Sequence, residues 1–344
     1  MRDFIIRRLL LLIPVFFGVS ILVFTLSHVV GDPAAVYVTE RTTERQIQKI
    51  YERYHLNDPL YVQYFYWLWG IFQGDWGVSR SGGAEIPVTE AIRLYFSATF
   101  ELTIIAMIFG IVMGIPIGII SAVKKDRAPD HFSRVFALSG VSIPIFWLGL
   151  LLQFLLFYQL KVRGLPHFPL EGRVDYFIAR ESPIQSVTGF YLVDSLIAGN
   201  TDFFFSALSH LVLPAFCLAY LNTAYITRIT RSSMLEVMRQ DYITLARSKG
   251  LSERIVVYKH ALRNALIPTT TMIGLIFGSL LAGAVLTETV FAWPGLGRWA
   301  TLAILTADFA SIMGFVILIA VIYVLVNLLV DVLYGAIDPR IRYG

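Results

Sequence analysis

Six apolar stretches separated by polar segments constrain the fold of this chain more than any other feature. Each is near the roughly 20 residues that a helix needs to cross the hydrocarbon core of a bilayer. The composition agrees, because 56% hydrophobic and only 15% charged residues are typical of a membrane protein. The sequence therefore predicts an all-α polytopic membrane protein with six transmembrane helices. The predicted spans are Leu9–Val29, Ala98–Val123, Val135–Leu160, Phe204–Thr227, Leu266–Leu286 and Ile312–Leu333.

The distribution of positive charge predicts how the chain is oriented. An even number of spans places both termini on one side of the membrane. If the first loop lies outside, the cytoplasmic segments are 1–8, 123–134, 228–265 and 334–344, and they carry 17 of the 28 Lys and Arg residues. Because cytoplasmic loops carry an excess of Lys and Arg, both termini and segment 228–265 are predicted to be cytoplasmic.

The chain divides into three regions. Residues 1–30 form the N-terminal cytoplasmic end and first span, residues 31–96 a helical extracytoplasmic segment, and residues 97–344 a five-span core with a loop at 228–266. In the outer segment, Thr43 and Gln46 fit a capping box. Asp58 and Pro59 are predicted to cap and begin a further helix, which continues to Phe72 on the outer leaflet or against the bundle. A seventh span here is the alternative, but the stretch is short and contains Gln63.

Small and polar residues within the spans suggest packing contacts and candidate lining residues. The spacing of Gly110, Gly114 and Gly118 allows close helix packing, and Pro144 is predicted to kink or unwind its helix. Glu101 should face the bundle or water, where it either lines the outer mouth of a pathway or pairs with a neighbour. The candidate lining residues are Glu101, Gln153, Asn222, Gly278 and Ser279.

The longest internal segment without a span, Arg228–Pro268, has a helix–glycine–helix pattern. Leu235, Met238, Tyr242, Leu245 and Ala246 recur at helical spacing, Gly250 supplies a stop, and a second pattern begins after Ser252. A basic loop with this shape suits docking on a cytoplasmic partner. An ordinary amphipathic loop helix is the alternative.

The same segment resembles a sequence signature of a known protein family. The run DYITLARSKGLS followed by HALRNALIP resembles the cytoplasmic signature of ATP-binding-cassette (ABC) importer permeases, in their peptide-permease branch. Thr244-Leu245-Ala246 and Gly250 occupy the places of the general motif Glu-Ala-Ala-x3-Gly. Threonine in place of glutamate, and a wider gap between Gly250 and Pro268, depart from the general motif and resemble the peptide and nickel permeases.

The resemblance extends over nearly the whole chain. It includes Gly31-Asp32-Pro33, the element Pro59–Tyr64, the block LTETVFAWPGLGRW at Leu286–Trp299, and Asp338-Pro339-Arg340 near the C-terminus. The Leu286–Trp299 block is predicted to form an outer re-entrant turn, in which Pro294, Gly295 and Gly297 break helix. Trp293 and Trp299 are predicted to lie at the membrane interface.

The resemblance implies the type I importer permease fold and a role as a non-catalytic subunit of a dipeptide or short-peptide importer in a prokaryotic inner membrane. Its implied partners are a second homologous permease, two ABC ATPases, an extracytoplasmic peptide-binding protein and membrane lipid, with no nucleic acid. ATP and magnesium would be used by the ATPases, and this chain would bind no cofactor. The residues it implies for ATPase contact, which form a coupling helix and the turn after it, are Asp241, Tyr242, Thr244, Leu245, Ala246, Arg247, Lys249, Gly250 and Leu251.

Motifs that the sequence lacks limit the chemistry of this chain. It has no Gly-Lys dipeptide, so it contains no Walker A loop, and it has no His-Glu-x-x-His motif. Its single cysteine, Cys217, excludes a disulfide framework.

Two other classes of function are alternatives. An ion-driven secondary transporter would show internal repeats and several mid-membrane charges, and an intramembrane enzyme would need a nucleophile–base pair. Nickel, glutathione, oligopeptides or a sugar are the alternative cargoes within the resemblance.

Overall fold

The computed structural model of the chain describes residues 2–30, 38, 42–53, 55–83 and 85–337. Within these ranges the backbone is helical apart from loops and one short antiparallel hairpin, in which β1 (Val78–Ser79) pairs with β2 (Ile86–Pro87). The prediction of an all-α membrane protein is confirmed at this level. Two signature elements, Gly31–Pro33 and Asp338–Arg340, lie outside the described residues.

The helices vary from one turn to ten turns in length. They are α1 Arg2–Val30, α2 Glu44–Arg53, α3 Leu60–Phe72, α4 Val88–Val123, α5 Ala128–Ser142, α6 Ile145–Leu152, α7 Gln159–Val162, α8 Tyr176–Glu181, α9 Tyr191–Ile197, α10 Thr201–Val237, α11 Asp241–Ser248, α12 Glu253–Ile255, α13 Leu262–Leu281, α14 Val285–Val290, α15 Leu296–Leu305 and α16 Phe309–Ile337. Two π-helical segments, Gln153–Tyr158 and Val256–Ala261, join α6 to α7 and α12 to α13.

Among the described residues, five helical stretches are long and apolar enough to cross a bilayer. They are Val88–Val123, Ile145–Val162, Thr201–Val237, Glu253–Leu281 and Phe309–Val330. Helix α1 coincides with the first predicted span, but its apolar part there is the shorter stretch Ile13–Val29. A sixth span therefore stays a prediction. We call the end of the bundle that carries α11 the inner end and the end that carries the hairpin the outer end.

Helices α4 and α10 pack along each other at the centre of the bundle, and glycines on α4 set how closely they approach. A Cβ atom at Gly114 would lie 2.8 Å from the side chain of Ile226, and one at Gly118 would lie 2.6 Å from Thr230. The Thr227 hydroxyl also donates to the Gly114 carbonyl at 3.2 Å. The glycine spacing on α4 serves helix packing, as predicted.

The third predicted span, Val135–Leu160, is wrong as one continuous helix. Helix α5 ends at Ser142 and α6 begins at Ile145, with Pro144 between them. Proline has no N–H to donate to the preceding turn, and it pushes the residue before it towards extended backbone. Ile143 accordingly has φ −78° and ψ 121°. The predicted break at Pro144 is confirmed, and the span is Ile145–Val162.

Two helix starts are predicted in the outer segment, and the structure confirms part of one and contradicts the other. At the start of α2, the Thr43 N–H donates to Gln46 Oε1 at 2.8 Å, which is one half of the predicted capping box. The predicted cap at Asp58 is wrong. Helix α3 starts after Pro59 without a side-chain cap, because the Asp58 carboxylate instead lies 2.6 Å from His55 Nδ1.

Helix α3 packs against the bundle, which is one of the two positions predicted for it. Gln63 Oε1 lies 2.9 Å from His28 Nε2, and Tyr64 shares a hydrogen bond of 2.7 Å with Ser20. Both partners belong to α1. Helix α3 therefore lies along α1.

The segment between α13 and α16 folds over the outer end as two short helices, α14 and α15. Both indoles, of Trp293 and Trp299, are fully buried within the chain, and their predicted depth at the membrane interface stays a prediction. The backbone makes a close crossing here: Gly283 has φ +104°, and a Cβ atom on it would lie 2.7 Å from the backbone of Gly297. Only glycine fits both requirements.

A buried carboxylate ties the hairpin to the start of α16. Asp308 Oδ2 accepts hydrogen bonds from the N–H groups of Arg80 at 2.7 Å and Ser81 at 3.0 Å. The same oxygen accepts from the Ser311 hydroxyl at 2.6 Å, and Ser311 in turn bonds Ser79 at 2.7 Å. The outer segment is thereby fixed to the last helix.

Candidate functional site

The predicted coupling helix is present as α11, and two residues anchor it to the bundle. Gln240 has extended backbone and caps the helix start, and Lys249 ends it. Ile243 and Ala246, one turn apart, are its buried residues. They pack into a cluster with side chains of α4, α10 and the segment after α11; its other buried members are Ile119, Ala122, Met234, Val256, Val257, Ala261 and Ala265.

The predicted apolar face of this segment is partly wrong. Leu235 and Met238 pack against the cluster and Ala246 lies within it, but Tyr242 is 40% exposed and Leu245 is 55% exposed. Ile243, which the spacing did not select, is fully buried. Leu245 therefore faces away from the chain that carries it, whereas the Tyr242 hydroxyl accepts a hydrogen bond from Asn264 Nδ2 at 2.6 Å.

The turn after α11 has the predicted geometry. Gly250 has φ +76°, in the left-handed region that ends helices and favours glycine, and open space surrounds the position of its absent Cβ. Backbone then becomes helical again at Glu253, after Ser252. Arg247 on α11 donates twice to the Glu253 carboxylate, at 2.7 and 3.2 Å, and so spans the turn.

The remaining predicted contact residues form one continuous exposed surface. On α11 the exposed positions include Asp241, Thr244 and Arg247, and Lys249, Gly250 and Leu251 continue the surface along the turn. Of the predicted contact residues, only Ala246 is buried. The structure therefore places eight of these nine residues where another protein can reach them, and their role in ATPase contact stays a prediction.

A buried ion pair holds the base of this site. Asp130, in the first turn of α5, is 0% exposed, and it accepts hydrogen bonds from Arg231 Nε at 2.7 Å and Nη2 at 3.0 Å. Ser121 Oγ donates at 2.7 Å and the Asp126 N–H at 2.9 Å. Arg231 and these two donors hold the pKa of the Asp130 carboxyl well below its usual range, although burial acts to raise it.

Glu101 pairs with a neighbour, which is one of the two roles predicted for it. Arg173, from the outer loop before α8, donates to Glu101 Oε2 through Nη2 at 2.5 Å and Nε at 3.1 Å. The Leu192 N–H donates to the other carboxylate oxygen at 2.8 Å. The guanidinium also lies 3.8 Å from the centre of the Tyr191 ring. Glu101 thus fixes the outer loop, and its part in a pathway stays a prediction.

Two other candidate lining residues are buried among neighbouring elements. Gln153, in the first π-helical segment, donates through Nε2 to the carbonyls of Leu170 at 2.9 Å and Val290 at 3.0 Å. Asn222 is buried on α10, with Nδ2 3.9 Å from the sulfur of Met107 on α4. Both residues join elements within this chain.

The last two candidates are neighbours on α13 with different surroundings. A Cβ atom at Gly278 would lie 3.2 Å from Val326, so this glycine lets α13 approach α16. Ser279 is exposed. Among the five candidates, Ser279 alone has an exposed side chain, and a pathway role for all five stays a prediction.

The model of the family described as binding-protein-dependent transport system inner membrane component matches residues 114–343, and the model of the family's N-terminal part matches residues 1–89. The chain belongs to this family. It is a permease subunit of an ABC importer, a non-catalytic multi-pass component of the inner membrane.

Relatives of this permease match it from end to end. The dipeptide transport system permease protein DppB of Escherichia coli (strain K12) is 44% identical over 348 residues, covering 100% of this chain and 99% of the relative. The DppB protein of Alkalihalophilus pseudofirmus is also 44% identical, over 344 residues and 100% of both chains. The oligopeptide transport system permease protein AppB of Bacillus subtilis is 38% identical, again over 100% of both chains.

The sequence indicates that Glu101 can pair with a neighbour, but it does not identify Arg173, Asp130 or Arg231 as ion-paired residues. Asp130 and Arg231 are 101 positions apart, and Glu101 and Arg173 are 72 apart, so no local pattern connects them. One signal was available: Asp130 follows Pro129 in the first turn of α5, where an acidic side chain is favoured. That signal could locate the start of α5. Only the folded structure shows that Arg231 is the partner of Asp130.

The outer loop of the permease contains a further buried carboxylate with a testable pH dependence. Asp194 on α9 accepts from Thr188 Oγ1 at 2.6 Å and from the N–H groups of Thr188 at 2.8 Å and Gly189 at 2.9 Å. Burial raises the pKa of Asp194, but these hydrogen bonds outweigh it and leave the pKa below its usual value. The stability they contribute is therefore present at neutral pH and lost as the pH falls through the folded-state pKa.

We expect Asp194→Asn to destabilise the 187–189 turn at pH 7 by about 1–3 kcal/mol, because the amide NH₂ meets backbone donors. Hydrogen exchange of these amides measures the effect. The difference between variant and wild type should shrink as the pH falls below about 4. Asp202→Asn, at an exposed carboxylate on α10, is the control. Equal protection in wild type and the Asp194 variant at pH 7 would contradict the assignment.

Proposed function

We propose that this permease forms one half of the translocation pathway of an ATP-driven importer of dipeptides or other short peptides, and that a second related permease forms the other half. The full-length similarity to permeases whose names include dipeptide and oligopeptide transport supports the cargo. The excess of Lys and Arg in segments 1–8, 123–134, 228–265 and 334–344 supports cytoplasmic termini and a cytoplasmic α11.

The observation that carries the proposal is the packing of α11. An eight-residue helix held by Ile243 and Ala246 presents Leu245 outward, beside the exposed Leu251 of the following turn. Apolar side chains outside the membrane are stabilised when a partner covers them. An ATPase subunit is the partner that fits, since this chain has no Walker A loop and import against a gradient needs an energy source.

The proposed cycle is mechanical. ATP and magnesium bind to two partner ATPases, whose closure moves α11 and with it the inner end of the bundle. The bundle then switches from an inward-open to an outward-open form and receives peptide from an extracytoplasmic binding protein. The outer loops offer that protein a fixed surface, because the Glu101–Arg173 pair holds the loop before α8 in place. ATP or a partner protein can drive this switch only if it binds one of the two states more tightly than the other.

The deciding experiment is affinity purification of this chain from its native membrane, followed by mass spectrometry of the proteins retained. Recovery of a second permease and of Walker A-containing ATPases is expected. Reconstitution of that complex with its binding protein should then give ATP-dependent uptake of a radiolabelled dipeptide. Recovery of the chain alone, or only with copies of itself, would overturn the proposal and favour transport driven by an ion gradient.

Replacing Gly250 with tryptophan should uncouple transport while leaving the protein in the membrane. A side chain at Gly250 meets open space within this chain, so the fold bears only the cost of the positive φ. The indole would instead obstruct the ATPase subunit that is proposed to bind α11. We expect peptide uptake to fall by about tenfold or more, as for other lost couplings of a few kcal/mol.

Gly250→Asn is the matched variant, since asparagine tolerates a left-handed backbone and is small. It should retain clearly more uptake than the tryptophan variant. Uptake and membrane content are measured together in membrane vesicles. Normal peptide uptake by a well-expressed Gly250→Trp protein would show that the turn does not contact the ATPase.

A further inference from the structure

The inner end of α10 is a junction where residues within about two helical turns contact four different helices. Thr227 bonds the Gly114 carbonyl of α4, Thr230 lies 3.3 Å from Thr269 Oγ1 of α13, Arg231 binds Asp130 of α5, and Met234 packs beside Ile243 of α11. Six residues separate Arg231 from the end of α10, and α11 begins four positions after that end. A displacement of α11 therefore has a short path to this junction through Met234.

At the junction, Asp130 fixes three elements with one carboxylate. It receives donors from α4 (Ser121), from the turn between α4 and α5 (Asp126) and from α10 (Arg231). Each oxygen accepts two of these hydrogen bonds, so the carboxylate is satisfied without water. A buried ion pair contributes little net stability compared with apolar packing, whereas its directional bonds fix geometry.

Beyond the ion pair, α5 follows α10 closely for most of its length. Ser139 and Tyr220 share a hydrogen bond of 2.7 Å, and a Cβ atom at Gly140 would lie 2.6 Å from that of Ala224. Together with the Asp130–Arg231 pair, these contacts attach α5 to α10 at both of its ends. The backbone then leaves helical geometry at Ile143.

Past this break the chain also contacts the outer turn. Gln153 donates to the carbonyl of Val290 on α14 and to that of Leu170 in the outer loop. Gly149 on α6 approaches Phe291, which follows α14. The same α6 segment packs on the outer half of α10, so it joins α10 to the outer turn, whereas α5 binds the inner half.

We propose that Asp130 and Arg231 are positioning residues for transport, which make α5 move as one body with α11 and the inner half of α10. The stroke of an ATPase on α11 then reaches the third span through the ion pair. This inference rests on the proposed function, since it requires that α11 be driven by a partner.

The test is Asp130→Asn in the complete importer, reconstituted with its second permease, ATPases and binding protein. The amide turns one acceptor into a donor facing Ser121, Asp126 N–H or Arg231, and it removes the carboxylate charge that the guanidinium binds directly. We expect uptake of radiolabelled alanyl-alanine per ATP hydrolysed to fall by about tenfold, in the range of typical coupling energies. ATP hydrolysis itself should persist.

Glu236→Gln is the matched control because it removes a carboxylate from the same inner end of α10. The Glu236 side chain is exposed, and it lies five positions after Arg231. Its ratio of uptake to hydrolysis should equal that of wild type. Asp130→Glu, which keeps the charge, should recover part of the ratio, and adding Arg231→Gln to Asp130→Asn should lower it little further.

The ratio of peptide uptake to ATP hydrolysis distinguishes a positioning role of the ion pair from a purely structural role. If the pair only stabilises the fold, Asp130→Asn lowers uptake and hydrolysis in proportion to the amount of folded complex, and that result overturns the inference. A wild-type ratio in the variant also overturns it. Failure of the proposed function is distinct, because the wild-type complex itself would then show no ATP-dependent peptide uptake.

Discussion

Leu245→Asp is expected to release the ATPase subunits from the importer while this permease remains folded in the membrane. The leucine side chain is 55% exposed in the isolated chain and lies between the two anchoring residues of α11, Ile243 and Ala246. Burying a carboxylate without a partner costs far more than leaving it in water. Central residues of an interface typically account for several kcal/mol, so ATPase affinity should fall by about 100-fold.

The measurement is the amount of ATPase retained on the purified permease across a dilution series. Ser248→Asp adds the same charge to α11 one turn later, at an exposed polar position, and it should weaken retention much less. Thermal unfolding of the two variants should be alike, because both positions are exposed on α11. If Leu245→Asp retains ATPase as wild type does, α11 is not the docking helix.

Gly283→Ala is expected to have the largest effect on folding of any single methyl addition at the outer end. Two costs combine there: the positive φ of 104°, and a Cβ atom only 2.7 Å from the backbone of Gly297. The second contact is with backbone, so no side-chain rotation relieves it. We expect a loss of about 3–5 kcal/mol, from left-handed strain plus overpacking.

Gly199→Ala separates these two costs. Gly199 also has a positive φ, 65°, but open space surrounds its absent Cβ. Its substitution should cost only the strain, about 1–2 kcal/mol. Unfolding of both variants in detergent, followed by tryptophan fluorescence, measures the difference, since Trp293 and Trp299 are buried in the same turn. Equal stability of the two variants would contradict the close crossing.

Local features of the sequence predicted local features of the fold. Apolar length marked the spans, Pro144 marked a break, and Gly250 marked the end of α11, because each effect acts through the backbone of its own neighbourhood. The pattern at 235–246 was misleading for a physical reason. An apolar side chain that faces a partner protein has the same spacing as one that faces the core, so Tyr242 and Leu245 resembled buried residues.

The remaining features depend on residues that are distant along the chain. Trp293 and Trp299 were assigned to the interface on the general preference of tryptophan for that depth, but their surroundings come from α4 and the hairpin. No local pattern connects Asp130 with Arg231, which lies 101 positions further along the chain. Such pairs form only when the helices pack together. The contacts at the inner end of α10 could therefore not be predicted from the sequence.

The bonds between the hairpin and Asp308 also set an order for biogenesis. Ribosomes deliver the N-terminal part of a chain first, and the partners of Asp308 at Arg80 and Ser81 precede it by more than 220 residues. These backbone N–H groups therefore have no carboxylate to bind until the last helix has been synthesised. The outer surface of the subunit is completed only at the end of translation, so a truncated permease would present an unfinished face to the cell envelope.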